Sequence, residues 1–187
     1  SQLRFNENIQ KVKKAIESGE LGDIILGDVY MKYCRSPEYY SSSNWRGTWA
    51  MDGGGALMNQ GIHGIDILQY LVGPIKTVSA VCKTLARDIE VEDTASLVVE
   101  YENGAVGVIQ GTTSVEPGYP RVIEITGTKG TVSLTETDIT KWDIDGKTFE
   151  ITDSPQRDFY GFRDPDAIAL HSHLPQIKDI IKAIEED

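Results

Sequence analysis

Residues 53–73, GGGALMNQGIHGIDILQYLVG, decide how the rest of the chain is read. Three glycines open the stretch and a Gly73-Pro74 pair closes it, the punctuation of a loop, a helix and a stop. Stepping about 100° per residue places Leu57, Met58, Ile62, Ile65, Leu68 and Val72 on one broad apolar face. The same step gathers Asn59, His63, Asp66 and Tyr70 into a stripe roughly 60° wide on the opposite side. An imidazole flanked by an amide at i−4 and a carboxylate at i+3 is open to orientation and tuning by its neighbours. From periodicity alone, that stripe is the water-facing side of an amphipathic helix, and a functional reading needs the rest of the chain.

Downstream of the helix, strand patterns follow one another at 75–86, 93–102, 105–114, 120–127, 130–135, 139–144 and 147–152. The turns between them are chemically explicit: Glu102-Asn103-Gly104, Pro117-Gly118, residues 127–130 and Asp145-Gly146. The last of these is the clearest hairpin signal in the chain. Upstream, residues 6–18 predict a helix with Asn6 as its cap and an apolar stripe of Ile9, Val12, Ala15 and Ile16. Residues 22–35 are β-rich, alternating around a break at Gly27, and an irregular aromatic stretch, SPEYYSSSNWRGTWAMDGGG (36–55), follows. A weakly patterned stretch at 153–167 precedes a last helix from about His173, with Ile177, Ile180, Ile181 and Ile184 on one face. Consecutive strands exclude an alternating βαβ design. The expected fold is α+β: an open, largely antiparallel mixed sheet with helices packed on one face. The apolar content of 93–102 and 105–114 makes the other face an expected subunit interface of a homo-oligomer.

With 187 residues, 40% hydrophobic and 25% charged, the chain has the composition of one globular domain. A net charge of −11 argues against nucleic acid as a partner, because phosphate neutralisation needs clustered Lys and Arg. There is no apolar run of the roughly eighteen residues that a membrane helix needs. The first residues predict an amphipathic helix rather than a secretion signal, and a start without methionine reads as a piece of a longer protein. Cys34 and Cys82 lack metal-type spacing and fit free thiols in a reducing cytoplasm.

The glycine cluster fails as a dinucleotide fingerprint, since Met58 stands where a third glycine is needed, and no βαβ unit surrounds it. Gly146-Lys147-Thr148 resembles the tail of a phosphate-binding loop, but its earlier glycine would have to be Lys141. Two readings of Gly53, Gly54 and Gly55 stay open: close backbone approach to an anionic ligand at a helix N-terminus, or a tight turn against a neighbouring strand. His171 and His173 predict a solvated or capping pair rather than metal ligands, as no further ligand lies near them. Arg35 and Arg46, interleaved with Tyr39, Tyr40, Trp45 and Trp49, suit a phosphate or carboxylate with rings stacking on a sugar or base. The other reading is a set of packing anchors for a long loop. Cys34 reads as a small buried hydrophobe.

The segment WRGTWAMDGGGALMNQGIHGIDILQYLVGP (45–74) closely resembles the corresponding part of the Gfo/Idh/MocA family of NAD(P)-dependent oxidoreductases. GELGDI (19–24), GDVYMKYCR (27–35), IEVEDTASLVVEYENGAVGVI (89–109), GTKGTV (127–132) and HLPQIKDIIKAI (173–184) extend the likeness over most of the chain. The resemblance implies the C-terminal α+β domain alone, with the Rossmann domain that holds NAD or NADP absent and the extreme C-terminus clipped. It implies that His63 is the acid/base for the substrate hydroxyl. Asn59, standing where the family usually has aspartate, would orient substrate. Gly54 and Gly55 would approach the ligand, and Asp66 would support His63 from behind. The implied reaction is hydride transfer between a sugar hydroxyl carbon and nicotinamide, with this piece inactive by itself. Residues 33–49 resemble members acting on nucleotide-linked sugar acids, of the UDP-N-acetyl-aminoglucuronate dehydrogenase type, which makes Arg35, Tyr40, Trp45 and Arg46 substrate-binding candidates. The alternatives are a non-catalytic sugar-binding or assembly module and an NAD-assisted glycosidase. With its partner domain missing, the stripe of His63 is expected to be exposed.

Overall fold

The topology turns on β1 (Ile24–Lys32), which lies inside the sheet and pairs in parallel with β4 (Val106–Thr112) and antiparallel with β5 (Val122–Gly127). The computed structural model describes residues 1–149 and 173–186. Among these, β2 (Ile75–Lys83), β3 (Thr94–Tyr101), β6 (Gly130–Thr135), β7 (Asp138–Ile144) and β8 (Lys147–Phe149) complete an eight-stranded sheet. Its order is β2-β3-β4-β1-β5-β6-β7-β8, and every pairing except β1 with β4 is antiparallel. With α1 (Glu7–Glu17), α2 (Pro37–Ser41), α3 (Ile62–Val72) and α4 (His173–Glu186), the fold is α+β as the pattern predicts. Residues 150–152 of the last expected strand, the 153–167 stretch and His171 lie outside the described residues.

Local chemistry accounts for the elements. The Asn6 side chain accepts the N–H groups of Asn8 and Ile9, so α1 starts where expected, and Ile9, Val12 and Ala15 are buried about a turn apart. Asp145 and Gly146 both take positive φ, 52° and 72°, and join β7 to β8 in a two-residue hairpin. β1 runs unbroken through Gly27, and its irregularity lies between Ile24 and Leu26; a Cβ on Gly27 would stand 2.7 Å from Val72 Cγ2, and one on Gly107 of β4 would collide with the Gly27 carbonyl. That carbonyl accepts the buried Tyr101 hydroxyl at 3.0 Å.

Alternating residues of β1 (Val29, Met31), β5 (Ile123, Ile125) and β6 (Val132, Leu134) meet Ile67, Leu68 and Leu71 of α3 and Ile9 and Val12 of α1. Burial of each such side chain stabilises by about 1.5–3 kcal/mol before chain entropy is charged against it. On the opposite face Val81 and Val98 are 62% and 60% exposed, and nothing among the described residues covers them. The apolar face of α4 (Ile177, Ile180, Ile181, Ile184) forms as its spacing predicts but is exposed rather than packed.

The central helix departs from expectation. Residues Ala56–Gln60 form a π-helical turn, closed by Gly61 N–H to the Ala56 carbonyl at 2.8 Å, and α3 begins only at Ile62. The extra residue in that turn shifts the helical phase. Met58 and Ile62, expected inside, are 51% and 44% exposed, while Gly64, Ile67 and Leu71 join Leu68 and Val72 on the buried side.

Candidate active site

The turn that feeds α3 is held by one carboxylate. Glu92 accepts Gly55 N–H on Oε2 at 2.9 Å and Leu57 N–H on Oε1 at 3.1 Å, and its carbonyl accepts Ala56 N–H at 2.9 Å. A Cβ on Gly55 would run into the Glu92 carbonyl, and one on Gly54 would stand 2.8 Å from Met58 Cβ. The N–H groups of Gly55, Ala56 and Leu57 at this helix entry are thus given to the chain's own Glu92, the geometry that the tight-turn reading expects. Gly53 supplies the left-handed backbone at its start, with φ of 78°.

The polar stripe of α3 is half-buried, which corrects the expectation that it is exposed. The N-terminal turn Gln2–Phe5 and α1 of the same chain lie over it. Asp66 faces Arg4, whose Nε donates to Oδ2 at 2.9 Å and whose Nη2 bonds Oδ1. Tyr70 takes Arg4 over its ring at 5.0 Å and accepts Gln10 Nε2 on its hydroxyl at 2.9 Å. Burial pushes the Asp66 carboxyl up, while the hydrogen bond and charge of Arg4 pull it down, and the group sits below its ordinary value.

His63 places Nδ1 3.1 Å from Ser1 Oγ, which leaves Nε2 as the ring nitrogen for an incoming proton. Burial, then the charge of Arg121, push its imidazole below the usual histidine value, and Asp66 opposes them. The shift favours the neutral imidazole, the form that accepts a proton. Asn59 turns to Asp52, donating to Oδ1 at 3.0 Å, while Asp52 Oδ2 accepts Gly47 N–H at 2.9 Å. That pair ties the aromatic loop to the π-turn.

In the loop, Tyr39 is the centre. Arg46 lies 4.5 Å and Arg35 5.6 Å from its ring, and Tyr40 meets it edge-on at 5.2 Å. Arg46 also lies 4.8 Å from the Trp45 ring and donates to Ser43 Oγ at 2.7 Å. Arg35 is buried and donates to the Cys34 carbonyl at 2.7 Å, and Tyr40 reaches Thr113 Oγ1 at 2.8 Å. Gln60 Nε2 donates to the Tyr39 hydroxyl at 3.1 Å, so the cluster is anchored to the turn before His63. Arg35, Tyr40 and Arg46 thus come together around the Tyr39 ring, with Trp45 joined through Arg46, a set suited to an anionic ligand with a flat face. Cys34, read as buried, is half-buried and directs Sγ at Glu116 Oε2 at 3.0 Å.

The sequence reading missed Arg121, Glu136 and Tyr33. Arg121 is 4% exposed and its Nη2 pairs with Glu136 Oε2 at 3.0 Å. Tyr33 is buried nearby, and burial pushes its phenol up to about 12. One signal was available: Gly64, a glycine in a helix interior, marks a close approach. Among the described residues no cluster of His, Cys, Asp or Glu can hold a metal ion.

Fold and site define an α+β domain in which one histidine-bearing helix packs on a mixed sheet beside an arginine- and tyrosine-rich loop. The chain belongs to the GFO/IDH/MocA family, whose C-terminal domain description matches residues 9–133. It is 28% identical to myo-inositol 2-dehydrogenase of Thermotoga maritima over 193 residues, 97% of this chain and 52% of that protein. It is 27% identical to D-apiose dehydrogenase of Rhizobium rhizogenes over 139 residues, 72% of this chain and 39% of that protein. The chain spans about half the length of the curated relatives it matches. Its structure is similar to that of the WlbA dehydrogenase from Bordetella pertussis in complex with NADH and UDP-GlcNAcA. That match has a TM-score of 0.72 and 42% identity, covering 75% of this chain and 44% of the other. The WlbA dehydrogenase from Chromobacterium violaceum with the same two molecules gives 0.75 and 34%, covering 96% and 50%.

Proposed function

We propose that this chain is the substrate-binding and oligomerisation domain of an NAD(P)-dependent sugar dehydrogenase whose substrates are nucleotide-linked sugar acids. The observation that carries this reading is the half-buried His63 on a helix whose entry turn is fastened, through Gln60 and Tyr39, to the Arg35–Arg46 cluster. The WlbA relatives, crystallised with NADH and UDP-GlcNAcA, support the substrate class and NAD as the nucleotide.

A bound nicotinamide supplies the hydride acceptor. The glycine-rich turn does not fit a dinucleotide phosphate, because it gives its N–H groups to Glu92. The cofactor belongs to a Rossmann domain outside this stretch, in keeping with relatives about twice as long, and this piece alone is inactive. His63 Nε2 accepts the substrate hydroxyl proton and Asn59 orients the sugar. Arg35 and Arg46 hold its negative charge while Tyr40 and Trp45 pack on its rings. The exposed face of β2, β3 and β4 meets a second copy. No helix among the described residues is long and apolar enough to cross a membrane. The two unpaired cysteines fit the cytoplasm.

The test is a substrate comparison with the full-length protein, following NADH formation. Faster turnover with UDP-linked N-acetylglucosaminuronate than with inositol or free hexoses is expected. A preference for an uncharged sugar overturns the substrate class, and failure of every sugar to reduce NAD overturns the dehydrogenase reading.

A further inference from the structure

Asp52 closes the aromatic loop on itself and reaches the π-turn with the same carboxylate. Its Oδ2 accepts the Gly47 N–H at 2.9 Å and its Oδ1 accepts Asn59 Nδ2 at 3.0 Å. The Asp52 and Gly53 N–H groups both bond the Thr48 carbonyl, at 3.1 and 3.2 Å, so the loop is also tied through its backbone. Its other end is equally fixed: Gly47 takes φ of 72°, and a Cβ there would stand 2.7 Å from Ile89 Cγ2. With both oxygens engaged and the backbone held, the Asp52 side chain is an acceptor of set position.

That acceptor decides which way the Asn59 amide points. A carboxylate offers no proton, so only the NH2 end of the amide can face it. The carbonyl end, Oδ1, is turned away from Asp52 and has no hydrogen-bond partner among the described residues. Asn59 is half-buried, four residues before His63. In the proposed reaction the single proton of the reacting hydroxyl goes to His63. The donor to Asn59 Oδ1 is then a different hydroxyl of the same sugar.

We propose that Asp52 is a positioning residue for Asn59: by taking the amide NH2 it fixes Oδ1 as an acceptor for the bound sugar, and that oxygen holds a second hydroxyl beside the one that reacts. The inference rests on the sugar dehydrogenase reading and on Asn59 touching substrate, but its physical core, the orientation of the Asn59 amide, is measurable without turnover.

The experiment reverses the polarity of this pair in the full-length protein. In Asp52→Asn the new amide still accepts the Gly47 N–H on its oxygen, but its NH2 now faces Asn59. Asn59 then turns its own oxygen inward and shows its NH2 to the sugar. kcat/KM should fall roughly 10- to 100-fold while the thermal midpoint is nearly kept, because every internal hydrogen bond retains a partner. The swap Asp52→Asn/Asn59→Asp keeps both bonds and returns an acceptor to position 59, so it should regain most of that loss. Asn59→Asp alone sets two carboxylates against each other and should be worse than the swap. In nitrogen-edited NMR of side-chain amides, with Asn59 assigned through Asn59→Ala, the proton bonded to Asp52 should move to a solvent-exposed shift in Asp52→Asn. A folded Asp52→Asn with kcat/KM within about twofold of the unaltered enzyme overturns the proposal, as does an unmoved Asn59 signal. So does a swap no better than either single change, the comparison with Asn59→Asp deciding if Asp52→Asn fails to fold. Failure of every sugar to reduce NAD with the unaltered protein instead sinks the dehydrogenase reading, and the amide signal still reports the Asp52–Asn59 pairing.

Discussion

Glu92 closes the turn that feeds the His63 helix through Gly55: its Oε2 accepts the Gly55 N–H at 2.9 Å, and its main chain passes where a Gly55 Cβ would stand. A capping carboxylate and a glycine more than thirty residues earlier are thus one device. Glu92→Ala should cost about 1–2 kcal/mol, the scale of a lost helix cap. Gly55→Ala should cost at least about 3 kcal/mol, since neither backbone can retreat. Urea unfolding midpoints measure both, and equal effects of the two changes would break the pairing of cap and glycine.

The Arg4–Asp66 pair makes the N-terminal cover pH-dependent. Asp66 is held below its ordinary value, so its stabilisation is fully present above the unfolded carboxyl value of about 3.9 and is lost as pH falls through the lower folded one. Arg4→Ala should cost up to about 1 kcal/mol at neutral pH, because the pair is partly exposed. The difference from the unaltered protein should shrink as pH falls through the folded carboxyl value, leaving what the Arg4 contact with the Tyr70 ring contributes. Unfolding curves at neutral pH and below the folded carboxyl value decide it.

Much of the fold was legible in the residues, because strand alternation and turn chemistry are local. Asp145-Gly146 takes the positive φ pair its hairpin needs, and Asn6 caps α1 as its type predicts. The π-turn was not legible, since no side chain between Ala56 and Gln60 favours the extra residue and the turn is imposed by Glu92 from outside. Without it, helical stepping put Met58 and Ile62 on the wrong side. His63 was singled out by stripe and resemblance, while the surroundings of Asp66 depended on Arg4, which folds back from the chain's first turn. Arg121 carried no pattern at all: its burial exists only through the β5–β6 register that brings Glu136 to it.

Gly64→Ala tests the close approach under α3. The methyl would press on Met31 Sδ and Arg121 Cδ, and such overpacking costs about 1–3 kcal/mol. In an ordinary exposed helix the same change would stabilise by about 1 kcal/mol. The sign of the shift in thermal midpoint therefore distinguishes a packed glycine from a tolerated one.

Arg46→Met should act on binding rather than chemistry. Losing a charge-assisted contact to an anionic substrate is worth about 1.5–3 kcal/mol, so KM should rise roughly 10- to 100-fold with kcat nearly kept. The ring contacts to Tyr39 and Trp45 should survive in part, because methionine also packs on aromatics. Steady-state kinetics on the full-length enzyme measure the split.

The central claim is that His63 handles the substrate proton. Its direct test is kcat/KM of full-length His63→Asn against pH, alongside the unaltered enzyme. The expected result is a loss of roughly 100- to 10,000-fold together with disappearance of the acid limb, which should lie below about pH 6.5 in the unaltered enzyme because His63 is pushed below the usual value. Turnover within a few-fold of the unaltered enzyme, with the acid limb still in place, would contradict it.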